Sequence, residues 1–179
     1  MLIKPRVITY IRKTAKIDFN PLYSLLDPDM QLIEIYGLET FHVLNVYNKR
    51  RRPNQAYTED RLKNLTLNKF IIIVGDFNRH HMWWNPAADS KKEQETSILV
   101  DWLKILQVTL INNTDESIFF RQNMKNRSII DLAFYILTFR KYLWNNWKLL
   151  PYTRSDHETI GFTAIIIELI QNFNTIKPA

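Results

Sequence analysis

Three short polar segments of this sequence lie next to strongly apolar stretches and carry side chains suited to hydrolytic chemistry. The first is Gly75-Asp76-Phe77-Asn78, which comes directly after Ile71–Val74. Side chains two positions apart on extended backbone point the same way, so Asp76 and Asn78 are expected to project together. A carboxylate beside a carboxamide can hold a divalent ion, orient a water and accept its proton. The alternative for this tetrapeptide is a simple turn, because Gly, Asp and Asn are all turn formers.

The second and third segments add an acid and a histidine. Ser128–Leu132 places Asp131 within an otherwise apolar strand, and Ser155-Asp156-His157 precedes another apolar stretch. A buried carboxylate needs a donor or a cation, and a histidine is a suitable partner because the acid fixes its tautomer. An imidazole can in turn donate to a phosphate oxygen as negative charge develops. The alternatives are an edge strand with Asp131 facing water and an ordinary loop at the triplet.

The apolar patterns around these segments predict many short strands and two clear helices. Helix starts are predicted at Thr58 and at Ser90, where Ser90 and Glu93 match a capping box and apolar residues follow at helical spacing to Leu106. The predicted strands are Arg6–Ile11, Gln31–Tyr36, Phe41–Tyr47, Phe70–Val74, Val108–Ile111, Ser117–Phe120, Ser128–Tyr135, Trp147–Leu150 and Ile160–Ile167. Phe70–Val74 is apolar on both faces, which is typical of a strand in the middle of a layered fold. The pattern predicts an α+β protein.

The composition indicates one globular domain with a preference for polyanions. The chain has 179 residues, of which 46% are hydrophobic, and its 24 Lys and Arg outnumber 18 Asp and Glu. A net charge of +6 favours nucleic acid as a partner. Zero Cys excludes disulfides and thiolate chemistry.

No apolar run long enough to span a membrane and no signal-peptide pattern is present, so we expect an intracellular protein with no membrane partner. We expect one domain over residues 1–170 and a frayed tail at 171–179.

The order of the three polar segments resembles the endonuclease/exonuclease/phosphatase family. Gly75-Asp76-Phe77-Asn78-Arg79-His80-His81-Met82-Trp83-Trp84 is similar, more narrowly, to the endonuclease domain of non-LTR (LINE-type) retrotransposons, and Leu44–Asn48 resembles the strand of that family that ends in a catalytic Tyr. The similarity runs from about Arg6 to Leu169. It implies a DNase I-like two-layer β-sandwich flanked by helices. It also implies a Mg²⁺-dependent (or Mn²⁺-dependent) endonuclease that leaves a 3′-hydroxyl, with a nuclear location and DNA as partner.

The resemblance also implies a role for individual residues. Tyr47 would contact the scissile phosphate, Asp76 would deprotonate the attacking water, and Asn78 would hold the phosphate or the ion. Asp131 would orient His157, which would stabilise the pentacovalent phosphate. Asp156 would complete the metal or water shell.

The N-terminal part of this sequence departs from the family pattern. Family members start with a strand that carries an Asn and continue to a strand that carries a metal-binding Glu. Glu34 and Glu39 do not lie in matching segments. The resemblance therefore implies an N-terminally truncated copy that lacks the first strands, in which a reverse transcriptase would be on another chain. Two alternatives stay open: an inactive fragment that binds nucleic acid, and a phosphatase for small substrates.

Basic and aromatic residues near the polar segments suggest how nucleic acid would be held. Lys49, Arg50, Arg51 and Arg52 follow Tyr47, and Arg79 follows the first polar segment. These cations are predicted to bind the DNA backbone, the alternative being a solvated loop. Trp83 and Trp84 could stack on a base, but we expect them to pack beneath their loop.

Overall fold

The computed structural model shows a mixed β-sheet, a small second sheet and two helices. It describes residues 5–15, 17–22, 27–37, 40–48, 58–67, 70–86, 88, 90–115, 128–136, 142–150, 157 and 159–166. The strands are β1 Asp18–Pro21, β2 Met30–Tyr36, β3 Phe41–Tyr47, β4 Ile71–Asp76, β5 Val108–Leu110, β6 Asp131–Ile136, β7 Tyr142–Leu150 and β8 Thr159–Ile166. The helices are α1 Thr58–Leu62 and α2 Ser90–Ile105, and a 3₁₀ turn covers Lys13–Ala15.

The larger sheet has six strands in the order β1-β2-β3-β4-β6-β5. All neighbouring strands in it are antiparallel except β3 and β4, which are parallel. A parallel pair needs a crossover connection, and α1 lies in the connection between β3 and β4. In the part of the chain that the structure describes, no helix has the length and apolar character needed to cross a bilayer.

One face of the larger sheet packs into the hydrophobic core with α2. Alternate residues of β3, β4 and β6 are fully buried there, and α2 adds Leu99, Trp102 and Leu103 to the same cluster. The strand period of two and the helix period of 3.6 predicted from the sequence are thus both realised. The α+β prediction is confirmed, as are the predicted helix from Ser90 and the strand at Phe41–Tyr47.

The opposite face of the sheet borders a cavity of about 460 Å³. Residues of β3, β4, β6 and β8 line it: Val43, Asn45, Ile72, Val74, Gly75, Asp131, Leu132, Ala133, Ile160 and Phe162. The antiparallel β7-β8 hairpin forms the second, two-stranded sheet, and Ile160 packs against the core. The buried β4 therefore lies between α2 on one side and β8 on the other, in agreement with its two-sided apolar pattern.

The predicted strand at Arg6–Ile11 is wrong, because this segment joins no strand ladder. Its Arg6 amide donates to the Pro28 carbonyl at 2.7 Å, and its Arg6 guanidinium pairs with the carboxylate of Asp29. Tyr10 is 88% exposed. β-branched and aromatic residues favour a strand only where a neighbouring strand supplies hydrogen bonds and packing. The predicted strand Ser117–Phe120 and the predicted tail at 171–179 lie outside the described residues.

Gly75 permits the close contact between β3 and β4 that leads into the first polar segment. Its φ is +148°, and a Cβ atom at this position would lie 1.8 Å from the carbonyl oxygen of Val46. No other residue type fits such a space without displacing the neighbouring strand. The glycine thus holds the last residue of β4, Asp76, in register with the last residue of β3, Tyr47.

Candidate active site

Tyr47, Asp76 and Asp131 lie side by side across three neighbouring strands. Asp76 is the register partner of Tyr47 on one side and of Asp131 on the other. Residues that are paired across neighbouring strands point to the same face of a sheet. That face is the one that borders the cavity, where Asp131 is a lining residue. Strand register therefore brings three of the predicted site residues to one edge, although they are far apart in sequence.

His157 completes a compact polar cluster with the two acids. One side-chain ligand atom from each of Asp76, Asp131 and His157 lies within 4.8 Å of the others. Nδ1 of His157 is 2.7 Å from Oδ2 of Asp131, and both side chains are mostly buried. An acid and an imidazole that act on one phosphate must lie within about 10 Å of each other. The observed spacing satisfies that requirement.

The environment of Asp76 raises its pKa from 3.8 to about 6. The main cause is burial, which penalises the charged form, and the second is the negative charge of Asp131. Proximity to His157 and hydrogen bonds from Asn78 act in the opposite direction. A carboxylate whose pKa is close to the pH at which it works is suited to accept a proton from water.

Asn78 contacts Asp76 in a way that differs from the predicted extended arrangement. Asn78 has a φ of 49°, in the left-handed region, and its amide donates to Oδ1 of Asp76 at 3.0 Å. The side chain of Asn78 also donates to the same carboxylate. The backbone therefore turns after β4, and the local turn and the polar cluster are both present. Phe77, between them, is fully buried and packs edge-on against Phe134 with ring centroids 5.8 Å apart.

Arg79 does not occupy the exposed position that DNA binding would require. It is only 8% exposed, and its Nε donates to Oε1 of Glu59 at 2.7 Å. The indole of Trp84 donates to the Arg79 carbonyl at 3.1 Å, which fixes the backbone as well. We therefore correct the prediction for Arg79: a buried cation is retained because a carboxylate compensates its lost hydration.

The predicted packing of the two tryptophans is confirmed. Trp84 is fully buried, and Trp83 lies against Phe134 with ring centroids 5.7 Å apart. The remaining predicted site residues, Lys49, Arg50, Arg51, Arg52 and Asp156, lie outside the described residues, and their roles stay predictions.

Asn112 is a residue that the sequence reasoning missed. Its Nδ2 donates to the carbonyl of Asp131 at 2.9 Å, and its Oδ1 accepts from the amide of Ala133 at 2.8 Å. The side chain thus acts as a short extension of β5 and pairs with the beginning of β6. An Asn directly after a predicted strand was the available signal, but Asn is also common in turns.

The six-stranded mixed sheet with its few helices has a DNase I-like α+β fold. Residues 41–161 match a family model described as endonuclease-reverse transcriptase, and the chain belongs to that family. The matched range includes every residue of the cluster. This membership supports a nuclease function in general.

Comparison with solved structures gives a similar fold. The endonuclease domain of TRAS1, a telomere-specific non-LTR retrotransposon, is similar with a TM-score of 0.67 and 19% sequence identity, covering 85% of this chain and 68% of that chain. A mutant of a Cimex nitrophorin, in its ferrous NO complex, has a TM-score of 0.42 and 12% identity over 81% of this chain and 62% of its own. That second likeness is too low to support an inference. No curated protein sequence matches significantly.

Proposed function

We propose that this chain is a divalent-metal-dependent DNA endonuclease that hydrolyses a phosphodiester bond and leaves a 3′-hydroxyl. The observation that carries the proposal is the cluster of Asp76, Asp131 and His157, whose ligand atoms lie within 4.8 Å of one another. Membership of the endonuclease-reverse transcriptase family supports the reaction class. The position of Tyr47 opposite Asp76 supports its role as a phosphate contact.

In this proposal Asp76 is the general base. Its raised pKa, about 6, makes it a stronger proton acceptor than an ordinary carboxylate while it is still largely ionised at neutral pH. The hydrogen bonds from Asn78 hold one of its oxygens in place. Asp76 would therefore orient a water and take its proton as the water attacks phosphorus.

His157 and Asp131 act as a pair on the phosphate. The contact between Nδ1 of His157 and Oδ2 of Asp131 orients the ring. An N–H at Nε2 would then donate to a phosphate oxygen and stabilise the negative charge that builds up in the transition state. Tyr47 and Asn78 would hold the same phosphate from the other strands.

The donor set fits a hard divalent cation. Asp76 and Asp131 are two carboxylates close enough for one to raise the pKa of the other, and a cation relieves that repulsion. Oxygen ligands favour Mg²⁺ or Mn²⁺ over softer metals. Asp131 and Asp156 would hold the ion beside Asp76. When bound, it would supply Lewis-acid stabilisation of the phosphate charge.

The charge of the chain supports DNA as the substrate. A net charge of +6 attracts a polyanion, and Lys49, Arg50, Arg51 and Arg52 follow the phosphate contact at Tyr47. A DNA substrate implies a nuclear location. A 3′-hydroxyl product could prime a reverse transcriptase, which is the partner that we propose.

A plasmid-nicking assay tests the proposal. Wild-type protein with Mg²⁺ or Mn²⁺ should convert supercoiled plasmid to open circles, and EDTA should stop the reaction. Asp76→Asn and His157→Ala should each reduce nicking by at least about 100-fold. Asp101→Asn, the same chemical change at an exposed position of α2, should nick like wild type.

The product and the alternatives are separated by further measurements. Nicked plasmid should be extended by a DNA polymerase without prior phosphatase treatment, because the polymerase requires a 3′-hydroxyl. Equal nicking by wild type and Asp76→Asn would overturn the proposal. Salt-sensitive DNA retention without cleavage would instead identify a nucleic-acid-binding protein. Turnover of small phosphate esters without DNA retention would identify a phosphatase.

A further inference from the structure

Glu59, in α1, is a buried carboxylate that lies outside the proposed catalytic cluster. It is 3% exposed, and its Oε1 accepts two hydrogen bonds, from Nδ2 of Asn48 at 2.8 Å and from Nε of Arg79 at 2.7 Å. In the described part of the chain its other oxygen, Oε2, is buried and has no hydrogen-bond partner. Both bonds therefore depend on a single oxygen atom.

The two partners of Glu59 directly follow two proposed phosphate contacts. Asn48 is the residue after Tyr47, and Arg79 is the residue after Asn78. One carboxylate thus joins the end of β3 to the loop that follows β4.

Each partner is also tied by its backbone. The Asn48 amide donates to the carbonyl of Asp76 at 2.7 Å, and the carbonyl of Arg79 accepts from the Trp84 indole at 3.1 Å. A displacement at either partner would therefore move the backbone of the candidate site.

Burial makes these ties strong and specific. Asn48 is fully buried and Arg79 is 8% exposed, so neither polar group can exchange its bond to Glu59 for one to bulk water. Removing the charge of Glu59 would leave a buried guanidinium without compensation, which is far less favourable than either the intact pair or its complete replacement by apolar groups. Among the hydrogen bonds of the described residues, Asn48 and Arg79 are the partners that connect Glu59 with the proposed phosphate contacts.

We propose that Glu59 is a positioning residue that sets the spacing between Tyr47 and Asn78. This inference rests on the proposed function, because the spacing matters for a phosphate that both side chains hold. Misplacement of a contact group by about 1 Å can reduce an enzymatic rate by about 100-fold. The prediction is a loss of turnover with little change in DNA affinity.

Single-turnover nicking and equilibrium DNA binding test the proposal in parallel. Glu59→Gln should lower the nicking rate constant by at least about tenfold, while the Kd for a DNA duplex in EDTA stays within about twofold. Asp60→Asn makes the same chemical change at the next, exposed position of α1 and should match wild type in both measurements. If Glu59→Gln does not fold, a double variant that combines Glu59→Gln with Arg79→Met removes both members of the charge pair. Its nicking rate constant should be at least about tenfold lower than that of wild type.

Amide hydrogen exchange gives a readout that does not need catalysis. In Glu59→Gln the Asn48 amide should exchange at least about tenfold faster, while amides in the middle of β4 keep their wild-type protection. If wild type does not nick DNA, the proposed function fails and the exchange measurement alone decides the positioning role. Wild-type nicking rates in a folded Glu59 variant, an equal loss in Asp60→Asn, or unchanged Asn48 exchange would each overturn the inference.

Discussion

Replacing Asp76 by Asn should make the protein more stable at neutral pH while it removes the proposed base. Asn has nearly the same shape as Asp and keeps an oxygen that can accept the Asn78 amide. It carries no charge, however, so it avoids both the burial penalty and the repulsion from Asp131 that raise the pKa of Asp76. The substitution therefore measures how much the charge of Asp76 lowers the stability of the folded protein, while it leaves the packing of the side chain nearly unchanged.

The magnitude follows from the pKa of Asp76, which is 3.8 in its usual state and about 6 in the folded protein. A difference of about two pH units corresponds to about 3 kcal/mol against the charged form. The carboxylate is partly accessible to solvent, which screens the interaction, so we expect a gain of about 1–3 kcal/mol for Asp76→Asn at pH 7.5.

The sign of the pH dependence is fixed by linkage. Because the folded-state pKa is the higher one, the folded protein binds more protons than the unfolded chain between pH 3.8 and about 6. The contribution of Asp76 to stability thus falls as the pH rises through this window. The advantage of Asp76→Asn should be full above pH 6 and should shrink towards zero as the pH falls to about 4.

Urea unfolding in EDTA at several pH values measures this difference. The free energy of unfolding should be higher for Asp76→Asn than for wild type at pH 7.5, and the two should approach each other at pH 4.5. Asp101→Asn, at an exposed position, provides the control for a general charge effect. A variant that is less stable than wild type at pH 7.5, or a difference independent of pH, would refute the reasoning.

Three further predictions concern the same edge of the sheet. The nicking rate should decrease as the pH falls through the acid range, because protonated Asp76 cannot take a proton from water. A rate constant independent of pH from 4 to 8 would contradict its role as base. Gly75→Ala should lower the free energy of unfolding by about 3–5 kcal/mol or prevent folding, because the added Cβ would lie 1.8 Å from the Val46 carbonyl oxygen. A loss below about 1 kcal/mol in urea unfolding would argue against that contact. Asn112→Leu should cost about 1–3 kcal/mol by leaving the Ala133 amide unsatisfied, whereas Asn113→Ala, one position further along, should cost less in the same unfolding experiment.

The strands that build the site were predictable because their patterns are strong and local. Phe41–Tyr47 and the buried β4 have β-branched or apolar residues throughout, and the structure places strands at these positions. The order of the polar segments around Asp76, Asp131 and His157 was informative for a second reason. That order resembles the motif order of a known nuclease family, and this resemblance linked segments whose local patterns alone also allowed turns and loops.

The wrong predictions concern residues whose structure is determined by burial or by distant partners rather than by the local sequence. Arg6–Ile11 has strand-forming residues but pairs with no strand among those that the structure describes, and its Arg6 pairs with Asp29 instead. Arg79 looked like a DNA contact because of its position after Asn78, yet Glu59, 20 residues earlier, holds it in the interior. Such long-range pairs leave no periodic signal, so the local sequence around Glu59 does not indicate that it pairs with Arg79.

The three residues of the polar cluster come from segments that meet only late along the chain. Asp131 and His157 are 26 residues apart, and Asp76 precedes both. Topologies with such non-local contacts fold more slowly than those with local ones. We therefore expect a growing polypeptide on the ribosome to lack the proposed nuclease activity until β8 has docked. A substitution that loosens the β7-β8 hairpin should therefore abolish the proposed activity before it unfolds the larger sheet.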